Sequence, residues 1–180
     1  MTATNFITSA QRTIKMEADA VAELQHRLDD SFVTACETML ACEGRVIVTG
    51  MGKSGHIGNK IAATLASTGT PSFFVHPGEA SHGDLGMITK NDVVIVISNS
   101  GSTAEVITIL PLIKRLGIPM ISMTGDPGSV LSQAARANLD VSVTSEACPL
   151  NLAPTTSTTV TLAMGDALAI ALLESRGFTA

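Results

Sequence analysis

Aromatic residues are nearly absent from this sequence. It has no tryptophan, no tyrosine and five phenylalanines, so aromatic residues make up only 3% of its 180 residues. Aromatic side chains are the usual platforms on which proteins stack nucleic-acid bases, and this mode of binding is therefore not expected. We expect any ligand to be held by backbone groups, hydroxyls and charges.

Positive charge is also scarce. Eleven lysines and arginines stand against sixteen aspartates and glutamates, which leaves a formal net charge of −5. A protein that binds nucleic acid by neutralising phosphates needs the opposite balance, so we expect no nucleic-acid partner. With 45% hydrophobic and 15% charged residues, the chain is also unlike an intrinsically disordered one.

Signals for disulfides, export and membrane insertion are missing as well. Cys36, Cys42 and Cys148 form neither a C-x-x-C pair nor an even disulfide framework. The N-terminus lacks the basic-then-apolar pattern of a signal peptide. The most apolar stretch, 160–173, contains Asp166 and is predicted to be too short for a membrane span. We therefore expect a soluble, cytoplasmic protein in a reducing compartment.

The pattern along the chain predicts one α/β domain with a sizeable core. Helical periodicity covers the first 28 residues, and a second helix follows over about 29–41. The predicted strands are 45–49, 72–75, 93–98, 119–124 and 139–143. The predicted helices that follow them are 55–67, 78–85, 103–116, 130–135 and 156–175. Because the strand runs are continuously apolar and β-branched, they suit a three-layer αβα sandwich with a five-stranded parallel sheet.

The functional residues should follow the strands, because ligands bind beyond the carboxyl ends of an open parallel sheet. Small residues, hydroxyls, two histidines, one lysine and three glutamates stand in these segments. The segments are 50–55, 76–82, 98–105, 125–128 and 144–149. We expect one ligand site at this edge.

The first segment, GMGKSG at 50–55, invites two interpretations. In a P-loop the first glycine would fall on Ile47, inside a strand, so an NTPase is rejected. The spacing G-x-G-x-x-G does fit the dinucleotide fingerprint. The second strand, however, is followed by His76 rather than by the acidic residue that binds ribose, so the dinucleotide interpretation is weak.

The third segment favours phosphate binding. Hydroxyls crowd around Gly101 at the junction of a strand and a helix; they belong to Ser98, Ser100, Ser102 and Thr103. Hydroxyls and backbone N–H groups at a helix N-terminus can hold a phosphate, and a glycine lets the backbone approach it closely. The alternative is a capping box formed by Ser102 and Glu105, which would leave Ser98 and Ser100 unexplained.

Four segments carry a resemblance to a known family. They are GMGKSGHIGNKIAATLASTGTP, FFVHPGEASHGDLGM, SNSGSTAE and EACPLNLAPTTSTT. They resemble the sugar isomerase (SIS) domain of D-arabinose 5-phosphate isomerases over about 44–177. The resemblance implies a flavodoxin-like fold, with 1–180 as a single SIS domain and 1–43 as its leading helices.

The activity that this resemblance implies is the interconversion of D-ribulose 5-phosphate and D-arabinose 5-phosphate through an enediol. This step feeds synthesis of Kdo, a lipopolysaccharide sugar. Members of the family are usually homotetramers, and turnover needs no metal or redox cofactor. Many continue past the SIS domain with a Ser-His-Pro-Gly stretch and a pair of CBS domains. This chain ends before that stretch, so we expect an SIS domain without the CBS pair and with reduced activity.

The chemistry needs a base, a group that stabilises the developing oxyanion and a clamp for the phosphate. Lys53 is the only cation in the first segment and is expected beside the phosphate or the enediolate, unless it is an ordinary solvated lysine. The resemblance assigns catalytic relevance to Glu105 and Glu146, and substrate contact to His82. No helix for Glu146 to cap is evident in the sequence. Which group acts as the base stays open.

The remaining candidates are contacts to substrate or metal. The predicted substrate-binding residues are Gly52, Ser54, Gly69, Thr70, Ser98, Ser100, Gly101, Ser102 and Thr103. Position alone suggests that Gly69 ends a helix, and the resemblance adds a substrate contact there. For His76 the resemblance implies only an inhibitory zinc ion. Two alternatives remain open, namely a sugar-phosphate-binding module without catalysis and an isomerase of another sugar phosphate.

Overall fold

The computed structural model describes residues 3–80 and 84–177. Its helices are α1 (Ala3–Glu23), α2 (Asp30–Leu40), α3 (Gly52–Ser67), α4 (Pro77–Ala80), α5 (Ala104–Ile107), α6 (Leu110–Leu116), α7 (Val130–Ala134) and α8 (Thr156–Ser175). Its strands are β1 (Val46–Gly50), β2 (Ser72–Val75), β3 (Val93–Ile97), β4 (Met120–Thr124) and β5 (Ala137–Asp140). Two short 3-10 helices cover Leu24–Arg27 and Asp84–Met87.

The five strands form one parallel sheet in the order β2-β1-β3-β4-β5. Val46 of β1 pairs with Ser72 of β2 on one side and with Val93 of β3 on the other. This is the flavodoxin-like strand order, and its reversal lies between β1 and β3, where a crevice for ligands opens. The predicted fold class is therefore confirmed.

Helices cover both faces of the sheet and complete the three layers. Along β3, Ile95 and Ile97 pack against α2, α3 and α8, whereas Val94 and Val96 pack against α5, α6 and α7. This alternation explains why the strands are apolar throughout, since neither face of the sheet meets water.

Several predicted bounds need correction. The single helix predicted over 103–116 is divided into α5 and α6, because Pro111 near the start of α6 lacks the N–H that a continuous helix would need. The last strand lies two to three residues earlier than predicted, at Ala137–Asp140. The helix predicted over 78–85 is replaced by α4 and the second 3-10 helix, with 81–83 outside the described residues.

The last helix matches its predicted bounds, but the argument from length against a membrane span does not hold for it. Its 20 residues are long and apolar enough to cross a membrane by length and composition alone, and half of its most apolar window is buried in the domain. It packs against α1, α2 and α3. At Gly165 an added Cβ would lie 2.4 Å from Cγ1 of Ile61, so α8 and α3 are in close contact, as in a core helix pair.

Candidate functional site

Two adjoining depressions lie at the carboxyl edge of the sheet. The larger, of about 220 Å³, is lined by the loop after β3 and the chain between β5 and α8. The other lies between the start of α3 and the start of α8. Asn99 and Pro154 line both depressions, so the two adjoin at the edge of the sheet where the sequence predicts a site.

The loop after β3 is held together by its own hydroxyls. Ser98 is 2% exposed; its Oγ accepts a hydrogen bond from the Gly101 N–H at 3.1 Å and lies 2.8 Å from Oγ1 of Thr103. Ser100 and Ser102 are exposed. Two of the predicted phosphate ligands thus shape the loop, and two present their hydroxyls to solvent.

Gly101 has a structural role that the sequence analysis did not foresee. Its φ is +61°, and an added Cβ would lie 2.0 Å from Oγ of Ser129. Its carbonyl accepts a hydrogen bond from the Leu131 N–H at 3.1 Å. The close neighbour that requires glycine here is the start of α7.

The capping box considered for Ser102 and Glu105 is not formed. The N-cap residue of α5 is Thr103, which makes no side-chain capping bond. The Ser102 hydroxyl instead donates to the carbonyl of Ser100 at 3.4 Å. Glu105 is exposed, and its carboxylate makes no hydrogen bond or ion pair with the residues of 3–80 and 84–177. A substrate could therefore reach it.

Lys53 lies at the first turn of α3, which follows the neighbouring strand β1. Gly52 before it has φ of +57° and open space around its Cα, and Ser54 after it lines the site. The Lys53 amine is exposed and forms no ion pair within the described part of the chain. Lys53 follows β1 and Glu105 follows β3, the two adjacent strands between which the strand order reverses.

Glu146 caps a helix, which corrects the sequence analysis. Its Oε2 accepts hydrogen bonds from the N–H groups of Thr155 at 2.8 Å and Ser157 at 3.1 Å, and from the Thr155 hydroxyl at 3.1 Å. Its Oε1 accepts from the Ser157 hydroxyl. Thr155 is the N-cap residue of α8 but makes no side-chain capping bond itself. The carboxylate of Glu146, nine residues earlier in the chain, caps the helix instead.

The pKa of Glu146 is shifted by these contacts. Partial burial raises the pKa, but hydrogen bonds from the hydroxyls and N–H groups of Ser157 and Thr155 outweigh it and hold the pKa below the usual glutamate range. Donors that favour the charged form always act in this direction. Glu146 is therefore a weak base in this conformation.

The histidine predictions have different outcomes. His82 lies outside the described residues. His76 is half-buried, and its Nδ1 accepts a hydrogen bond from the Gly78 N–H at 3.2 Å; it borders a third depression together with His56. In the described ranges, no cluster of three or more His, Cys, Asp or Glu side chains is arranged to hold a metal ion.

Gly69 and Thr70 lie at the opposite edge of the sheet from the site. They follow α3 and precede Ser72, which pairs with the first residue of β1, whereas the loop that carries Ser98 and Ser100 follows the last residue of β3. Gly69 has φ of +86°, as expected after a helix end. Thr70 is 1% exposed, and its hydroxyl has no hydrogen-bond partner among the described residues. Within the described part of one copy, the fold does not bring this pair to the candidates that follow β1, β3 and β5.

Sequence reasoning passed over Asn99, which lines both depressions. Its carbonyl accepts a hydrogen bond from the Gly125 N–H at 2.9 Å, which joins the ends of β3 and β4. The signal was available, since Asn99 stands between two of the candidate hydroxyls.

The chain is similar in sequence to a known domain family and to curated proteins. The family model of the SIS domain matches residues 39–171. Arabinose 5-phosphate isomerase KdsD of Pseudomonas aeruginosa is 74% identical over 176 residues, which are 98% of this chain and 54% of that protein. The protein of the same name in Escherichia coli K12 is 58% identical with the same coverage. The chain thus spans about half the length of the curated relatives it matches.

A solved structure is also similar over nearly its whole length. It is a protein of Escherichia coli CFT073 in complex with arabinose 5-phosphate, with a TM-score of 0.95 and 46% sequence identity. The alignment covers 99% of this chain and 95% of that one.

Proposed function

This chain belongs to the SIS domain family, and on that premise we propose that it is an aldose–ketose isomerase that interconverts D-ribulose 5-phosphate and D-arabinose 5-phosphate. The observation that carries the proposal is the 74% identity, over 98% of this chain, to an arabinose 5-phosphate isomerase. The similar structure that holds arabinose 5-phosphate supports the substrate class.

The phosphate of the substrate is assigned to the loop after β3. The exposed hydroxyls of Ser100 and Ser102 and the N–H groups at the start of α5 supply neutral donors, which suit an anion at a helix N-terminus. Lys53 and Ser54 approach from the start of α3. Local donors are required because a net charge of −5 provides no long-range attraction for a dianion.

Proton transfer is assigned to Glu105, assisted by His82. In the open-chain aldose, the base removes the proton from C2, the C1–C2 double bond forms, and the carbonyl oxygen at C1 gains negative charge and then a proton. Protonation at C1 and loss of the proton from the C2 hydroxyl complete the ketose. Lys53 stabilises the developing oxyanion. Glu105 suits the base because its carboxylate is exposed and unpaired among the described residues.

The finer expectations belong to the same proposal. We assign the enzyme to Kdo synthesis, to the cytoplasm and to a homotetramer without a required cofactor, with His76 as the contact of an inhibitory zinc ion. Exposed apolar side chains on α1 support subunit contacts: Phe6, Ile7 and Ile14 are 59%, 62% and 68% exposed. Gly69 and Thr70, at the far edge of the sheet, would contact a substrate only in a neighbouring copy.

A proton NMR time course of the chain with arabinose 5-phosphate in D₂O tests the proposal. We expect ribulose 5-phosphate to form with deuterium incorporated next to the carbonyl. Lys53→Ala should fold normally and lose about 100-fold or more in rate, as loss of an oxyanion-stabilising group does. Saturable binding without turnover would favour a sugar-phosphate-binding module. The absence of both binding and turnover would contradict the proposal.

A further inference from the structure

We propose that Glu146 is a positioning residue, which fastens segment 147–154 to the N-terminus of α8 and thereby builds one wall of the substrate site. This inference rests on the proposed isomerase function and concerns the same site. It differs from a role as the base, which the sequence analysis left open for this carboxylate.

Both oxygens of the carboxylate are already occupied. Oε2 accepts three hydrogen bonds, two from backbone N–H groups and one from the Thr155 hydroxyl, and Oε1 accepts one from the Ser157 hydroxyl. A general base needs a lone pair that can point at the substrate proton. Protonation of Glu146 would weaken contacts that hold the first turn of α8.

The same residues also hold the segment that precedes α8. The Glu146 N–H donates to Oδ1 of Asn151 at 2.7 Å, and the Asn151 N–H donates to the Cys148 carbonyl at 2.8 Å. The Ala147 N–H lies 3.0 Å from Oγ1 of Thr155 and 3.0 Å from Oγ1 of Thr156, both acceptors. Together these bonds close a loop of about ten residues on itself.

The small side chain of Ala147, which is 3% exposed, is the one fully buried apolar side chain of this segment. Leu150 and Leu152 are 75% and 78% exposed, although side chains of this size usually anchor a loop by packing. Hydrogen bonds that end on Glu146, Asn151 and Thr155 therefore carry most of the constraint. Loss of the carboxylate should release the segment.

The segment matters for the reaction because it lines the larger depression of the site. Glu146, Asn151, Leu152 and Pro154 line it together with Asn99 of the loop after β3. A displaced wall would misplace a substrate that is held by its phosphate. Misplacement by about 1 Å can cost about 100-fold in rate.

Glu146→Gln and Glu146→Ala distinguish positioning from proton transfer. A glutamine offers one carbonyl oxygen to the donors around Oε2 and an NH₂ that can donate to the Ser157 hydroxyl, yet it cannot act as a base. We expect kcat/KM of Glu146→Gln to stay within about threefold of wild type. Glu146→Ala should lose about 100-fold, with KM raised. If Glu146 were the base, both variants would lose about 100- to 10,000-fold in kcat.

Glu17→Gln is the matched control. Its Oε2 accepts a hydrogen bond from the Thr159 hydroxyl at 3.0 Å, so it also bonds the first turns of α8, but it lies on α1 and does not line the site. We expect kcat/KM of this variant to equal that of wild type. If Glu146→Ala does not fold, Ser157→Ala can replace it, because this variant removes the donor to Oε1. We expect a smaller loss in kcat/KM than for Glu146→Ala, again with KM raised.

Amide hydrogen exchange tests the contacts separately from the activity. The N–H groups of Thr155, Ser157 and Ala147 should be protected in wild type and in Glu146→Gln, and should exchange faster in Glu146→Ala. If wild type shows no isomerisation, the proposed function fails while exchange still decides whether Glu146 holds the segment. The inference would be overturned if Glu146→Gln were inactive while these N–H groups stayed protected from exchange. It would also be overturned if Glu146→Ala left their protection unchanged.

Discussion

The loops that follow β3 and β5 flank the same depression but are built in different ways. In the loop after β3, Ser98 bonds Gly101 and Thr103, three and five residues away. In the chain after β5, Glu146 bonds Thr155 and Ser157, nine and eleven residues away. The side-chain hydrogen bonds of Ser98 are local to the first loop, whereas those of Glu146 join the second loop to the first turn of α8.

The two carboxylates at this edge show what the difference means for function. Glu105, next to the locally built loop, is exposed and unpaired within the described residues. Glu146, in the long-range loop, has both oxygens bonded. Under the proposed function, Glu105 is the carboxylate that a substrate can reach, whereas Glu146 maintains the structure around the site.

The largest effect on the free energy of unfolding is expected at the contact between the loop after β3 and the start of α7. Gly101→Ala should lower the free energy of unfolding by about 3 kcal/mol, because the added Cβ meets Ser129 and the backbone has positive φ. Gly52→Ala is the control, since it also has positive φ but open space; it should cost about 1 kcal/mol. Urea denaturation measures both values. Equal costs for the two substitutions would show that contact with α7 does not shape the loop.

A smaller effect, about 0.5 kcal/mol after solvent screening, is expected from the charge of Glu146 at the N-terminus of α8. Its pKa is lowered in the folded protein, so the charge stabilises the fold at pH values above the unfolded pKa of about 4.3. This contribution is lost as the pH falls through the folded value. Wild type should therefore exceed Glu146→Gln in unfolding free energy at pH 7, and this difference should disappear as the pH falls through the lowered pKa of Glu146. A difference in unfolding free energy that grows at acid pH would contradict the lowered pKa of Glu146.

The difference between local and long-range contacts also explains how much could be predicted from the sequence. The strands with continuous β-branched runs were predicted correctly, because their signals lie within a few residues; phosphate binding by the hydroxyls after β3 stays a prediction. The helix cap by Glu146 was missed, since nothing local pairs it with Ser157. Gly69 and Thr70 match a family motif, but only the strand register places them at the opposite edge of the sheet.

The division of roles between the two glutamates is tested most directly by deuterium exchange at C2 of arabinose 5-phosphate in D₂O. Glu105→Gln should bind the sugar phosphate with wild-type affinity and lose about 1,000-fold in exchange rate, within the range for removal of a general base. Under the same conditions Glu146→Gln should exchange at close to the wild-type rate. Exchange by Glu105→Gln at the wild-type rate, or an equal loss in both variants, would contradict the account.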